Sequence, residues 1–274
     1  MILSQIFIKE REDLEVFNIF LVAIVGLLFG SFLAMLVYRL PLSISLINPK
    51  RSICIKCKQK LKWYENIPVF SYLFLKGKCS YCGTKISYMY PIVELSTSLV
   101  TVLLFVQFGI TYQFLFLIGI FYSLIVLSFI DLKYKAVPDY LLIFSLLLTI
   151  IYIVIYDIKN VVSIFIFTGG IVLLEIFVTF YIQNIKSKIF NDERLKEQKS
   201  LGEGDIPIFA IIGGLLGLKL GLIAVFLSAI LAIIPSIINM FIKKDLETPF
   251  IPFLALGLLL VFLNESYIVK IMNF

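Results

Sequence analysis

The sequence predicts an all-α polytopic membrane protein of about eight transmembrane helices, with one small polar insertion near its N-terminal end. Three observations predict it. Of 274 residues, 61% are hydrophobic and only 15% charged, against nearer half and a quarter in soluble domains. The mean hydropathy is +1.04. Apolar runs long enough to cross a bilayer recur along the whole chain.

Those runs fall at about 16–38, 91–109, 112–130, 140–156, 161–183, 206–218, 220–242 and 249–265. The sixth is short, and Lys219 alone divides it from the seventh. The first fifteen residues carry six charges (Lys9, Glu10, Arg11, Glu12, Asp13, Glu15) and no small-residue cleavage site. No cleavable signal peptide is expected, and the first span is read as its own insertion signal.

Eight spans place both termini on one side. The loops 39–90, 131–139, 184–205 and 243–248 then share the other face, and they hold 19 of the 24 lysines and arginines. The remaining five are Lys9, Arg11, Lys159, Lys219 and Lys270. The positive-inside rule makes the basic face cytoplasmic. The net charge of +6 thus follows from topology, and no nucleic-acid partner is expected. Six or seven spans break this partition, which is the internal argument for eight.

All four cysteines lie in the one sizeable polar segment. Cys54-Ile-Lys-Cys57 and Cys79-Ser-Tyr-Cys82 are matched Cys-x-x-Cys knuckles separated by 21 residues. That spacing suits a closed tetrahedral zinc site with a short β-rich loop between the knuckles. Lys56, Lys58 and Lys78 favour thiolate, and Gly83 permits a tight turn. Two disulfides are the alternative, opposed by a reducing cytoplasmic location; a redox dithiol needs only one pair. The expected zinc is structural and holds together residues 48–88, a segment too small for a core of its own. The expected domains are therefore 1–47 with the first span, 48–88 as the cytoplasmic zinc module, and 89–274 as the remaining membrane domain.

Asp131 and Asp205 each adjoin an apolar run in a chain with no histidine. A carboxylate beside hydrocarbon needs a partner, a watery cavity or a task. Without imidazole, Ser-His and Cys-His nucleophiles are unavailable. Asp131 precedes Leu-Lys-Tyr-Lys-Ala-Val-Pro-Asp, where Val137-Pro138 stops a helix and Asp139 fits an N-cap. Asp205 ends Gly202-Glu-Gly-Asp205, with Pro207 in the first turn beyond it. Capping alone explains Asp205 by itself. Two acids on separate loops of one membrane face form a candidate dyad, because close carboxylates share a proton and serve as acid and base.

Three further acids are weighed. Glu203 reads as a solvated loop charge. Glu94, just after Pro91, reads as a first-turn acid complementing the helix dipole. Glu175 lies deep in the fifth span, either protonated and hydrogen-bonded or part of a buried site.

These residues together resemble the type IV prepilin peptidases. The resemblance runs from Gly26-Leu-Leu-Phe-Gly-Ser-Phe-Leu33 and Tyr38-Arg-Leu-Pro41 through both cysteine knuckles, Asn66-Ile-Pro68, Ser71-Tyr-Leu73 and Gly77-Lys-Cys79. It continues through Ile86-Ser87, Tyr90-Pro91, Glu94, Asp131 with Pro138-Asp139, Gly202-x-Gly-Asp205 and Pro249-Phe-Ile-Pro-Phe-Leu-Ala255. It implies an aspartic endopeptidase of the bacterial inner membrane that cuts prepilin or pseudopilin leaders after glycine on the cytoplasmic side. It also implies catalytic roles for Asp131 and Asp205, and N-methylation of the new N-terminus with S-adenosylmethionine. Ala34, Pro207 and Ile251 replace the asparagine, lysine and glycine usual in the family. Two readings of methyl transfer follow: retained, or a peptidase alone. No Rossmann-type glycine loop marks a methyl-donor site.

Readings of other classes are a carboxylate-based proton or ion transporter, and a membrane scaffold whose zinc module binds a pilus or secretion partner. The first is weakened because only Glu175 lies clearly inside the apolar region. The second leaves the aspartate pair without a role.

Overall fold

A computed structural model of the chain describes residues 2–46, 52–190, 193, 202–242 and 249–272. Ten α-helices organise the described residues: α1 (Ile2–Arg39), α2 (Phe70–Phe74), α3 (Met89–Phe108), α4 (Tyr112–Tyr134), α5 (Asp139–Tyr156), α6 (Val161–Phe180), α7 (Ser187–Phe190), α8 (Asp205–Ile242), α9 (Ile251–Leu263) and α10 (Glu265–Met272). A π-helical turn, Tyr181–Lys186, joins α6 to α7. The membrane class stands, and the observed boundaries lie within a few residues of most predicted spans.

Eight separate spans are not seen among the described residues. Among the described residues six helices are long and apolar enough to cross a membrane, or seven if the bent pair α9–α10 is one span. The sixth and seventh predicted runs form the continuous segment α8. Its only non-helical residue is Gly217, with φ 69° and ψ −173°, a left-handed conformation that glycine adopts without the Cβ penalty. The chain therefore turns two residues before Lys219, and the twelve residues ahead of the turn reach only about 18 Å. Of the basic loops in the charge partition, most of 191–201 and all of 243–248 lie outside the described residues.

The chain divides into two compact units, Met1–Ile130 and Asp131–Phe274. In the first, α1 packs along α3. Val37, Val93 and Leu104 are fully buried there. Threonine and serine hydroxyls on α3 are satisfied within the bundle: Ser98 Oγ donates to the Ala23 carbonyl at 2.8 Å. Arg39, buried at the end of α1, donates to the carbonyls of Ser45 and Leu46 at 2.9 and 3.2 Å. That folds the chain back after the helix and gives the Tyr38-Arg-Leu-Pro41 sequence a structural reason.

In the second unit α8 is the hub, packed against α5, α6 and α9. Close approach rests on small residues. At Gly257 of α9, a Cβ would collide with Ser228 Oγ of α8.

The described residues of the insertion after α1 are not β-rich. Among the described residues it contains two isolated antiparallel bridges, Ile53↔Lys60 and Lys78↔Lys85, and no extended strand. The stretch between them folds as a 3₁₀ turn, Trp63–Asn66, followed by α2. Each bridge closes one knuckle, and six-residue loops leave no chain to extend a ladder.

Candidate metal centre and aspartate site

The two knuckles share one backbone pattern. In the first, the Cys54 N–H donates to the Gln59 carbonyl and the Lys58 N–H to the Cys54 carbonyl, both at 2.9 Å. In the second, Cys79 N–H to Thr84 and Gly83 N–H to Cys79 repeat it at the same distances. Lys58 and Gly83 occupy the matching position, with φ 58° and 66°. Glycine was expected to permit that turn, and lysine adopts the same left-handed conformation against its preference.

This geometry brings all four Sγ atoms of Cys54, Cys57, Cys79 and Cys82 within 4.8 Å of one another. The cysteines are free thiols. Cys54 Sγ and Cys82 Sγ are 3.8 Å apart, far beyond a disulfide bond and equal to the edge of a tetrahedron with metal–sulfur bonds of about 2.3 Å. Backbone N–H groups also point at the sulfurs. The Cys57 N–H holds the Cys54 thiol below its ordinary range, aided by that of Lys56 against some burial. The hydroxyl and N–H of Thr84 bring Cys82 down to about 6. Gln59 offers Cys57 similar help, but desolvation and the neighbouring sulfurs push it up to about 11. The donor set fits a thiophilic cation such as zinc, since one bound dication removes the conflict among four crowded thiols.

Glu65 completes this region, and the cysteine spacing gave no hint of it. Nearly buried, it accepts the Ser80 hydroxyl, from within the second knuckle, and the Lys62 N–H at 2.6 Å. Burial opposes its ionisation, yet these two donors hold it below the usual carboxylate range.

The aspartates lie in the second unit. Asp131 is not in a loop: α4 runs one turn past it to Tyr134. Lys135, at φ 53°, ends the helix by donating its N–H to the Asp131 carbonyl at 2.9 Å, a left-handed C-cap. Asp205 is the first residue of α8. Both side chains are only 8% exposed. The charge of Asp131 acts on Asp205, so the two carboxylates are electrostatic neighbours.

Backbone donors receive each of them. Asp131 Oδ2 accepts the Ile251 N–H at 3.2 Å, and the Phe250 N–H contributes as well. These groups begin α9, whose first N–H groups lack partners within the helix and favour an anion. Asp205 accepts from the backbone of Gly202, while its own N–H donates to the Gly202 carbonyl at 3.0 Å. Gly204 has a packing reason. A Cβ there would lie 2.6 Å from Val137 Cγ2 and near Leu142 and Ile251, so only glycine lets this turn close onto α5 and α9.

Two other acids, Asp139 and Glu94, depart from their sequence reading. Asp139 is not an N-cap: Pro138 holds that place, and Asp139 begins the helix. Glu94 lies past the first turn of α3 and accepts the Val69 N–H at 2.7 Å. Glu203 is exposed, as a loop charge should be, and Glu175 is half-buried with an interaction partner. The departures Ala34 and Ile251 are buried at 1% and 2%. Ile251 reaches Asp131 through its N–H, which any residue but proline supplies.

S-adenosylmethionine finds no fit in the apolar cavity of about 370 Å³ in this unit, lined by Ile150, Ile164, Pro207 and Ala210 among others. It offers no charged side chain, and the hydroxyl of its Thr168 is engaged by the Ile164 carbonyl at 2.8 Å.

Residues 24–108 match the bacterial peptidase A24 N-terminal domain, and residues 118–237 match the type IV leader peptidase family. A curated "prepilin leader peptidase/N-methyltransferase" of Vibrio cholerae is 34% identical over 81% of this chain and 86% of its own length. Relatives of the same name in Bacillus subtilis and Legionella pneumophila are 32% and 30% identical, over 90% and 92% of this chain and 94% and 93% of theirs. No solved structure matches the chain significantly. With two family domains in order and full-length relatives at this identity, the chain belongs to the type IV leader peptidase family of multi-pass membrane peptidases.

Proposed function

We propose that this protein cleaves the leader of type IV prepilin or pseudopilin precursors at the cytoplasmic face of the bacterial inner membrane, after a glycine, with Asp131 and Asp205 as the catalytic pair. The observation that carries the reading is the pairing itself. Two nearly buried carboxylates, from the end of α4 and the start of α8, interact electrostatically in a histidine-free chain.

In this mechanism the pair holds one proton and one water. The ionised carboxyl removes a proton from the water as its oxygen attacks the glycine carbonyl. The protonated carboxyl donates to the developing oxyanion, and a proton then passes to the leaving amine as the C–N bond breaks. The Ile251 N–H on Asp131 Oδ2 fixes that oxygen in place, which leaves Oδ1 of Asp131 for the water.

The relatives' name also supports N-methylation of the new N-terminus, with S-adenosylmethionine supplying the methyl group; no residue is assigned to the donor. The four cysteines hold a structural zinc ion, which keeps residues 48–88 folded and takes no part in cleavage.

Incubating the reconstituted protein with a prepilin and S-adenosylmethionine, followed by mass spectrometry, tests both activities. The expected product begins after the leader glycine and carries one added methyl. Cleavage without the methyl group favours a peptidase alone. Ion flux without cleavage overturns the assignment in favour of a transporter.

A further inference from the structure

The cysteine insertion carries an apolar face that neither its fold nor its metal centre uses. In α2, Phe70, Leu73 and Phe74 are 55%, 63% and 83% exposed, and Trp63 just before it is 80% exposed. Single exposed apolar residues need no explanation, but a cluster on one short segment marks a binding surface.

The position of this face along the spanning helices indicates what covers it. Val69, the residue before α2, donates its N–H to Glu94 Oε2. Glu94 is the sixth residue of α3, about 8 Å along the axis from the first. At the same level Gly30 of α1 backs onto Glu94, since a Cβ there would lie 2.6 Å from the Glu94 Cα. Gly30 is nine residues inside the end of α1 at Arg39, about 13 Å. So α2 starts beside the walls of two spanning helices, not beyond their ends.

Two features suit that depth. The Val69 N–H is satisfied by a carboxylate where water is scarce, through a backbone at φ 61° that a β-branched residue rarely adopts. The outer stripe of α3, with Ile92, Leu95 and Leu99 exposed, continues the apolar surface beside it. Lys76 and Lys78 follow α2 directly and complement anionic headgroups.

We propose that α2 is an interfacial membrane anchor. Phe70, Leu73 and Phe74 enter the headgroup–acyl boundary of the bilayer, and Lys76 and Lys78 meet anionic headgroups. The cysteine insertion is thereby held against the membrane surface and does not project freely from it.

Trp63 is the only tryptophan in the chain, so Trp63→Phe clears the background and Phe74→Trp reports from the face. The full-length double variant is reconstituted in vesicles of phosphatidylglycerol and phosphatidylcholine, with acyl chains either plain or brominated near the headgroup. The expected result is blue-shifted emission in plain vesicles, most of it quenched by brominated lipid. Emission typical of a water-exposed indole, unaffected by bromine, overturns the proposal. So does a blue shift that appears only when the apolar helix of a prepilin is added, which makes that helix the occupant. Leu73→Trp in the same Trp63→Phe background gives an independent reading from a neighbouring position and is expected to be quenched alike.

Discussion

The cysteine centre is assembled from two short loops that each close on themselves, whereas the aspartate site gathers groups from three helix ends far apart in sequence. Ile53 to Lys60 and Lys78 to Lys85 fold by the same bridge and the same pair of backbone hydrogen bonds. The only long-range step is bringing the two loops together. Asp131 instead depends on the N–H of Ile251, 120 residues away, and Asp205 on a glycine turn wedged between α5 and α9. A local site survives as long as its loops do. A dispersed site registers any displacement of the helices that carry it. The cysteine region should therefore fail through loss of its ligands, and the aspartate site through small errors of packing.

The largest effect expected from this contrast is at the metal centre. Replacing Cys57 and Cys82 together by serine removes two of the four clustered sulfurs, and a structural zinc held by four would contribute about 10–16 kcal/mol to folding. Bound zinc, measured by elemental analysis of the purified protein, should fall from one equivalent to none. Zinc retained at one equivalent would contradict the four-sulfur centre.

A smaller effect is expected from Gly204→Ala. The new methyl meets Val137 at 2.6 Å, an overpacking that costs about 1–3 kcal/mol. Because it displaces the start of α8, prepilin cleavage should drop by about tenfold to a hundredfold while zinc content stays unchanged. Equal loss of both would show that the two regions are not independent.

Glu65→Gln should lower zinc affinity by about tenfold, since the amide orders Ser80 and the second knuckle less firmly than the carboxylate; competition with a chromophoric chelator measures this. Smallest of all is Lys58→Gly. It relieves a left-handed lysine at the place where the other knuckle has Gly83, and about 1 kcal/mol of strain is partly offset by glycine's freedom in the unfolded chain. Zinc affinity should hold or rise slightly in the same assay.

The same contrast explains how much was legible in the sequence. Cys-x-x-Cys spacing encodes its own geometry, so the four-sulfur cluster could be read directly, as could helix α3, whose apolar run ends at Gly109, and the break at Pro138 ahead of α5. What surrounds each site could not. Nothing near Asp131 points to Phe250 and Ile251, because that contact is made by backbone N–H groups that every sequence contains. Ser80 and Glu65 meet only once the insertion folds. Lys219 is the visible charge in this run, while the turn belongs to Gly217, two residues earlier. The β-rich insertion was overestimated for a related reason: spacing shows that knuckles turn back, not how far a ladder extends. Unbroken apolar periodicity stops at Asp131 and suggests a loop, although α4 continues through Leu132, Lys133 and Tyr134.

The central claim is that Asp131 and Asp205 act as one unit, and a double-variant comparison tests it most directly. Leader cleavage is measured in proteoliposomes for Asp131→Asn, Asp205→Asn and the two combined, each with its zinc content as a control for folding. Residues that share one proton and one water lose their function together, so all three variants should fall to the same residual rate. Losses that multiply in the double variant, or cleavage at the unaltered rate by either single variant, would contradict it.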